Sequence, residues 1–215
     1  MIVVSESMEY LKIQKGDAVY PEALYRFLGD NAPQSISAIG NTKLLNTRPV
    51  ALFCSIKCPA TLILQTYDLA QQLREMGTPV ISGFHSPVER ECLTTLLRGN
   101  NPIIVCLARG VERMRIPKEY RKPLEEGRLL LLSPFSDKQR RADAGMAVTR
   151  NAVVAALAND IFVAHAEPGS KTEALCRDIV SWRKSLYVFD ESPNANLLAL
   201  GAKPITELSF LRKSD

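Results

Sequence analysis

From residue 49 onward, short apolar runs alternate with longer amphipathic stretches along the chain. The apolar runs are continuous, which is typical of strands buried on both faces of a parallel sheet. Each run is followed by a segment with apolar residues at helical spacing. The predicted strands are 49–54, 79–82, 102–106, 128–132, 161–164 and 186–189, and the predicted helices are 60–76, 87–98, 120–126, 141–158 and 171–182. The pattern predicts an α/β fold with a mostly parallel, doubly wound sheet and helices on both faces.

The first 48 residues lack this alternation. They contain a predicted helix that begins near Pro21 and a small predicted strand and turn at 35–40. No linker-like composition separates them from the rest of the chain. We therefore expect a small N-terminal subdomain over residues 1–48, packed on a core domain over residues 49–215.

The composition is that of an ordinary globular protein, with 46% hydrophobic and 23% charged residues in a chain of 215. This excludes a collagen, a coiled coil and a disordered tail. The start of the chain has no signal-peptide pattern, and no apolar run reaches the roughly 20 residues needed to span a bilayer. We expect a cytoplasmic protein that has no membrane partner.

The cysteines are odd in number and lie mostly in apolar runs, which favours reduced, buried thiols over disulfides. They are Cys54, Cys58, Cys92, Cys106 and Cys176. No second pair of Cys or His residues follows Cys54 and Cys58 at ligand spacing, so we expect no metal site.

Ligands of doubly wound proteins bind beyond the carboxyl ends of the strands, so the loops from strand to helix are the expected location of function. In the first such loop, Ser55 and Lys57 precede a helix, whose free N–H groups favour an anion. The alternative that Ser55 caps the helix and Lys57 is solvated is equally open. The last loop ends in Gly-Ser-Lys-Thr at 169–172, the most specific phosphate-type pattern in the chain, for which a hydroxyl-capped helix is the alternative.

The loop after the second predicted strand contains Ser82, Gly83, Phe84 and His85. The Ser-Gly pair gives a ligand close access to the backbone, and His85 is a candidate for proton transfer. A single His without a partner evident in the sequence is more often a packing or hydrogen-bonding residue. Glu89, in the first turn of the next helix, is interpreted as a favourable partner of the helix dipole rather than as a catalytic acid.

Basic residues are concentrated in the middle of the chain. The whole chain has 27 Lys and Arg against 23 Asp and Glu, whereas residues 105–150 have 11 against 6, a local excess of 5. These basic residues are Arg109, Arg113, Arg115, Lys118, Arg121, Lys122, Arg128, Lys138, Arg140, Arg141 and Arg150. A charge run is usually a solvated surface, but loops at strand ends converge in space, so we expect one basic groove.

Several of these loops, taken in order, resemble the DprA/Smf family of DNA-processing proteins. Residues 50–57 (VALFCSIK) are similar to the family's strand and Gly-Ser-Arg loop, and residues 80–83 to its Val-Ser-Gly motif. Residues 150–158 are similar to Arg-Asn-Arg-Ile-Ile-Ala-Gly-Leu-Ser, its best-defined motif. Further similar segments are 20–21, 109–112, 116–117, 127–135, 169–172 and 196–202. The resemblance covers about residues 20–206.

The resemblance implies an extended Rossmann-like domain that binds single-stranded DNA in a basic pocket, forms a homodimer and helps to load a recombinase during transformation. It implies no catalytic activity and no cofactor. By position, the implied pocket residues are Ser55, Ser82, Gly83, Arg150, Asn151, Gly169, Ser170 and Thr172. The same loops add Lys57, Phe84, His85, Arg109 and Lys171 as expected phosphate or nucleic-acid contacts.

The chain departs from the family pattern at several of these positions. Cys54 stands in place of Gly, Ile56 in place of the DNA-contacting Arg, and Ala152 in place of the second Arg of Arg-Asn-Arg. Two other hypotheses remain open: a sensor or binding domain for a nucleotide-derived or phosphorylated ligand and, third, a phosphoribohydrolase-like enzyme, whose catalytic Glu corresponds to Leu175. From the length we also expect no C-terminal winged-helix module, which many members of the family have.

Overall fold

The computed structural model of the chain describes residues 10–112, 114–136, 138–139 and 141–205. Its strands are β1 (Tyr10–Gln14), β2 (Ser35–Gly40), β3 (Val50–Phe53), β4 (Val80–Ser82), β5 (Ile103–Cys106), β6 (Leu129–Ser133), β7 (Asp160–Val163), β8 (Ser185–Phe189) and β9 (Lys203–Ile205). Its α-helices are α1 (Glu22–Leu28), α2 (Ala60–Glu75), α3 (Pro87–Leu97), α4 (Lys118–Glu125), α5 (Ala144–Leu157), α6 (Lys171–Ser181) and α7 (Ala195–Ala199). Of these helices, none is both long and apolar enough to cross a membrane.

The described strands form one sheet in the order β1-β2-β6-β5-β4-β3-β7-β8-β9. All neighbours from β6 to β9 are parallel, whereas β2 is antiparallel to both β1 and β6. From β3 the chain builds outward through β4, β5 and β6, then returns to place β7 on the other side of β3. The predicted doubly wound, mostly parallel α/β fold is therefore confirmed.

Successive residues of each central strand point to opposite faces of the sheet, and they are apolar on both faces. Each face is therefore covered by its own layer of helices. In β3, Val50 and Leu52 belong to one apolar cluster, and Ala51 and Phe53 to the other. The first cluster includes residues of α2, α3 and α4, and the second includes residues of α1, α5, α6 and α7. All four residues of β3 are buried, as the continuous apolar run predicts.

The predicted elements are confirmed with small shifts at their ends. The helix expected from residue 141 begins at Ala144, because the Asp143 carboxylate accepts the N–H of Met146 and caps it. α4 begins directly after Pro117, two residues earlier than predicted. The sequence pattern did not predict β1, β9 and α7, each of which has five residues or fewer.

The N-terminal elements do not form a separate sheet. β1 and β2 extend the main sheet at the β6 edge, and Leu24 of α1 belongs to the same apolar cluster as residues of α5. The division into a subdomain over residues 1–48 and a core over 49–215 stays a prediction.

A lysine closes the carboxyl end of α5. The Lys184 ammonium donates to the carbonyls of Ala155, Ala156 and Ala158 at 2.7, 2.8 and 2.6 Å. It also lies 4.3 Å from the centroid of the Phe27 ring on α1. Carbonyl oxygens at a helix end and a ring face both attract a cation, but burial opposes the charge and lowers the pKa of Lys184 to about 8.

This lowered pKa predicts how stability changes in alkali. The unfolded lysine titrates near 10.5, so between about pH 8 and 10.5 the unfolded chain binds more protons than the folded one. The free energy of unfolding of the wild type should therefore rise across this range relative to that of Lys184→Met. Urea unfolding at several pH values measures the difference, with Lys203→Met, on an exposed lysine, as the control for the loss of one charge. A difference that stays constant with pH would contradict the prediction.

Candidate functional site

The loops that follow β3 to β7 lie together, because parallel strands all end at the same side of the sheet. We call this surface the carboxyl edge, and it comprises the described residues of 54–59, 83–86, 107–117, 134–143 and 164–170. Strand order reverses between β3 and β7, so a crevice is expected between the loops that leave these two strands. Ser55, Lys57 and 169–172 all lie on its sides.

Ser55 joins the two sides of this crevice. Its N–H donates to the carbonyl of His165 at 2.9 Å, and its hydroxyl accepts the N–H of Glu167 at 3.3 Å. The alternative that Ser55 caps α2 is wrong, because Pro59 is the N-cap residue of that helix and makes no side-chain bond. The hydroxyl of Ser55 holds the β7 loop beside the β3 loop.

Lys57 lies at the surface of the same crevice. Its ammonium is 3.8 Å from the Glu167 carboxylate, and the two side chains are 84% and 51% exposed. An ion pair this exposed contributes little to stability. The Lys57 ammonium is therefore accessible at the surface of the crevice.

The start of α6 is occupied by a carboxylate of the chain itself. Glu173 is buried, and its Oε2 accepts the N–H of Gly169 at 2.9 Å and a bond from Arg177 at 2.8 Å. Its Oε1 accepts the side-chain amide of Asn196 at 2.7 Å, and the hydroxyl of Ser170 accepts the N–H of Glu173 in return. These donors, the amide of Asn196 first among them, hold the pKa of Glu173 below its ordinary value. The interpretation of 169–172 as a hydroxyl-capped helix start is confirmed by the Ser170 cap.

Lys171 and Thr172 complete this segment. The ammonium of Lys171 is exposed and donates to the carbonyl of Ala144 at 3.4 Å, at the start of α5. Thr172 is partly buried. Lys171 thus contributes a surface charge to the carboxyl edge.

A second carboxylate holds the β3 and β4 loops together. Glu89 is buried and accepts the N–H groups of Cys54, His85 and Ser86 at 3.0, 2.7 and 3.3 Å. Burial raises the pKa of Glu89, while these three donors and the charge of Arg150 oppose the shift. With the Ser86 hydroxyl, Glu89 forms the capping box of α3, so its interpretation as a helix-start partner is confirmed.

The two filled helix starts limit where an anionic ligand can bind. Glu89 and Glu173 accept backbone N–H groups that a nucleotide phosphate would otherwise receive. This weighs against the hypothesis of a phosphorylated small ligand seated at 169–172. Leu175 stands where the phosphoribohydrolases have their catalytic Glu, and it is an apolar residue buried in the core. The position therefore provides no catalytic acid for the hydrolase hypothesis.

Phe84 does not offer a stacking surface. Its ring is only 5% exposed, and its backbone is in the left-handed region, with φ of 47°. The hydroxyl of Ser82 accepts the N–H of Phe84 at 3.2 Å and donates to the carbonyl of Leu52 at 2.7 Å. The apolar ring is packed into the core, and a contact of Phe84 with nucleic acid stays a prediction.

The β6 loop repeats this arrangement. The hydroxyl of Ser133 donates to the carbonyl of Arg109 at 2.7 Å and accepts the N–H of Phe135 at 3.1 Å. Phe135 is also buried. In both β4 and β6, the last residue is thus a serine whose hydroxyl bonds to the backbone of the following loop. In both loops the phenylalanine two residues later is buried.

Arg150 is buried beneath the β4 loop. Its guanidinium donates to the carbonyl of Cys106 at 3.2 Å and to the side chain of Asn151 at 2.7 Å. It also lies directly against Gly83, where any Cβ would collide with it. The predicted pocket residues Gly83, Arg150 and Asn151 are therefore brought together as one cluster, whereas the hydroxyl of Ser82, the residue before Gly83, is bonded to Leu52 and Phe84.

His85 lies at the surface above this cluster. Its side chain is exposed, whereas its backbone N–H is bonded to Glu89. Partial desolvation and the charges of Arg150 and Arg90 lower the pKa of His85. The imidazole is accordingly neutral at pH 7 and can form a hydrogen bond to a ligand without adding charge.

The basic loops after β5 and β6 are connected to each other. The N–H of Gly110 donates to the carbonyl of Gln139 at 2.8 Å, beside the bond from Ser133 to Arg109. The exposed basic residues of these two loops and of the first turn of α4 are Arg109, Arg115, Lys118, Arg121, Lys138 and Arg141. Arg113 and Arg140 lie outside the described residues. Lys122, by contrast, is paired with Glu126 at 3.6 Å.

Sequence reasoning missed two asparagines that fix the β7 loop. The amide of the fully buried Asn194 donates to the carbonyls of Ala164 and Phe189, and its oxygen lies 3.2 Å from Nδ1 of His165. Asn196 donates to the carbonyl of Ala166 and to Glu173. The signal available for Asn196 was its place in segment 196–202, which is similar to the family. Within the described part of the chain, no group of three or more His, Cys, Asp or Glu side chains is placed to hold a metal ion.

Comparisons with known proteins identify a family and a fold. Residues 12–211 match the model of the family described as DNA recombination-mediator protein A. A comparison with curated protein sequences finds no match.

Among solved structures, DNA processing protein A (DprA) from Streptococcus pneumoniae is similar, with a TM-score of 0.79 and 20% identity over 96% of this chain and 75% of that one. DNA processing protein A from Helicobacter pylori, described for its single-stranded DNA binding mode, has a TM-score of 0.75 and 21% identity, over 94% of each chain. A molybdenum cofactor binding protein from Rippkaea orientalis has a TM-score of 0.50 and 11% identity, over 71% of this chain and 83% of that one. At these identities the likeness shows the fold, which is the extended Rossmann-like one implied by the sequence.

The lowered pKa of Glu173 predicts an acid-sensitive contribution to stability. Because the folded carboxylate titrates below the ordinary value of about 4.5, its contribution is present above that pH and is lost as the pH falls through the folded pKa. Glu173→Gln should therefore be less stable than the wild type at pH 7, and the difference should shrink on acidification below about 4.5. Urea unfolding at several pH values tests this, with Glu75→Gln, an exposed glutamate of α2, as the control.

The contact between Arg150 and Gly83 predicts that no side chain is tolerated at residue 83. Gly83→Ala should displace the guanidinium and cost about 1–3 kcal/mol of unfolding free energy, as overpacking of a core usually does. Gly16→Ala provides the contrast, because no atom lies within 4 Å of the Cβ added there, although its φ of 106° makes the backbone itself unfavourable for alanine. Equal stability of Gly83→Ala and wild type would contradict the contact.

Proposed function

Because the chain belongs to the DNA recombination-mediator protein A family, we propose that it binds single-stranded DNA at the carboxyl edge as a non-catalytic recombination mediator. The match over residues 12–211 is the observation that carries this proposal. The fold shared with the Helicobacter pylori protein, which is described as binding single-stranded DNA, supports it. The exposed basic loops supply the charge that such a ligand requires.

The phosphate contacts in this proposal come from side-chain cations rather than from helix starts. Lys57 lies on the crevice between the β3 and β7 loops, Arg109 on the β5 loop and Lys171 at the start of α6. All three are exposed, and the long Lys and Arg side chains are able to follow a flexible backbone. Their weak internal partners, Glu167 for Lys57 and the Ala144 carbonyl for Lys171, are readily exchanged for phosphate.

The buried cluster has a positioning role in this proposal. Arg150 donates to Asn151 and to the carbonyl of Cys106 at the end of β5, and its guanidinium lies against Gly83 of the β4 loop. Ser55 positions the β7 loop in the same way. These residues shape the surface over which the strand passes, and His85 offers a neutral hydrogen-bonding group above them.

The proposed binding is sensitive to salt and indifferent to base sequence. Phe84 and Phe135, the aromatic residues of the β4 and β6 loops, are buried, so stacking on them does not contribute. Phosphate contacts then dominate the affinity, and they weaken as salt rises. A homodimer and a recombinase partner, which the resemblance implies, stay predictions that light scattering and co-purification with the recombinase would test.

The proposal predicts a specific pattern of salt dependence. For single strands, the slope of log K against log salt is negative, and it becomes less steep by roughly 0.7 for each phosphate contact that is lost. Arg109→Ala and Lys171→Ala should each weaken binding of oligo-dT and make the slope less steep by about this amount. Fluorescence anisotropy at several salt concentrations measures both quantities.

Lys43→Ala is the matched control for this experiment. Lys43 is an exposed lysine between β2 and β3, on the opposite edge of the sheet, where the backbone of Gly127 bonds to Asn41. The Lys43→Ala substitution should leave the affinity for oligo-dT and the slope of log K against log salt almost unchanged. Absence of binding at low salt, or an equal effect of Lys43→Ala and Arg109→Ala, would overturn the proposed site.

A further inference from the structure

Large apolar side chains are exposed at two places along the carboxyl edge, and each of them lies beside an exposed lysine. Ile56 is 72% exposed and lies in the β3 loop, directly before Lys57. Val148 is 45% exposed and lies one turn after Ala144, the first residue of α5, whose carbonyl accepts a bond from Lys171. Each place therefore offers a nucleotide an apolar contact and a positive charge together.

The β3 loop places Ile56 at the crevice between β3 and β7. Ser55, the residue before it, donates its N–H to the carbonyl of His165 and accepts the N–H of Glu167. Lys57, the residue after it, lies 3.8 Å from the carboxylate of Glu167. Both neighbours of Ile56 thus contact the β7 loop across the crevice, while the side chain of Ile56 itself is in solvent. A ligand that covers this side chain gains the free energy of removing apolar surface from water.

Helix α5 brings Val148 to the same edge of the sheet. Arg150, two residues later, is buried and lies against Gly83 of the β4 loop, so the start of α5 is next to that loop. Side chains of a helix point toward its N-terminus, and that of Val148 therefore lies over the turn that begins at Ala144. Lys171 reaches this turn from α6 at 3.4 Å. The apolar side chain and the cation thus lie together between the β4 loop and the start of α6.

Leu64 is an exposed apolar residue in a different electrostatic setting. It is 65% exposed and lies one turn after the first residue of α2, as Val148 does in α5. Its charged neighbours are acidic: Asp68 is exposed one turn further along α2, and Gln65 bonds to the carboxylate of Glu191 at 3.0 Å. Single exposed apolar side chains are common on protein surfaces, and a negative surrounding repels phosphates. Leu64 is therefore a matched control for the two residues that lie beside lysines.

We propose that Ile56 and Val148 contact the bases of single-stranded DNA. The phosphates next to these bases are bound by Lys57 and Lys171. This inference rests on the proposed function and adds a part of the affinity that depends on bases rather than on charge. Aliphatic side chains pack between bases and against the methyl group of thymine. Every base has an apolar face, so such contacts tolerate any base sequence but require that bases are present.

The first experiment compares oligo-dT with an abasic deoxyribose-phosphate oligomer of the same length, which has the same phosphates and no bases. Fluorescence anisotropy should show that the wild type binds oligo-dT about tenfold more tightly than the abasic oligomer. The slope of log K against log salt should be the same for both, because the phosphate contacts are the same. Equal affinity for the two oligomers would overturn the inference.

The second experiment assigns the base contacts to the two residues. Ile56→Ser and Val148→Ser should each weaken oligo-dT binding by about threefold to tenfold, leave the salt slope unchanged and have no effect on the abasic oligomer. Ile56→Leu, which keeps an apolar side chain of the same size, should bind as the wild type does. Leu64→Ser should also bind as the wild type does. Urea unfolding checks that each variant is as stable as the wild type.

The outcomes separate this inference from the proposed function. A less steep slope in the serine variants, an equal loss of affinity for the abasic oligomer, or an equal effect of Leu64→Ser would overturn the base contacts. An effect of only one serine variant would overturn the contact at the other residue. If the wild type binds oligo-dT with the expected salt dependence but neither serine variant weakens it, the inference fails and the proposed function stands. If the wild type does not bind oligo-dT at low salt, both fail.

Discussion

The carboxyl edge depends on one buried carboxylate. Glu89 accepts N–H groups from Cys54 in the β3 loop and from His85 and Ser86 in the β4 loop. An unpaired N–H in this position would cost about 1–3 kcal/mol each, so the carboxylate determines how the two loops are placed relative to each other. Arg150 contributes positive charge nearby and bonds to the end of β5. The ends of three neighbouring strands are thus fixed by two buried side chains, Glu89 and Arg150.

Glu173 has the same function on the other side of the crevice. It joins Gly169, Arg177 and Asn196, and Asn194 holds the β7 loop to the end of β8. The helix starts of α3 and α6 are therefore neutralised from within the chain. The start of α2 has no side-chain cap, so this helix start and the exposed side chains of the loops remain for an anion.

The central strands and helices were predictable because burial on both faces of a parallel sheet leaves a continuous apolar run, as in Val50–Phe53. β1 and β9 were missed because edge strands are half-exposed and need few apolar residues: Tyr10–Gln14 has one fully buried residue, and Lys203–Ile205 contains a proline. At the site, Glu89 and the capped start of α6 followed from local rules of helix capping. The inward orientation of Phe84 could not be predicted from such local rules, because it depends on a hydrogen bond from Ser82 to the backbone of a different strand.

The sequence by itself determined the fold class and the resemblance to the family, and it predicted the loops of the candidate site, because periodicity and ordered motifs are local properties of the chain. Only the tertiary structure decided which side chains of those loops are available. Arg150, Ser82 and Asn151 have the residue types of phosphate contacts, yet they are bonded inside the protein, whereas Lys57, Arg109 and Lys171 remain at the surface. The physical reason is that burial and hydrogen bonding are set by residues distant in sequence, as when Cys106 and Gly83 together enclose the guanidinium of Arg150.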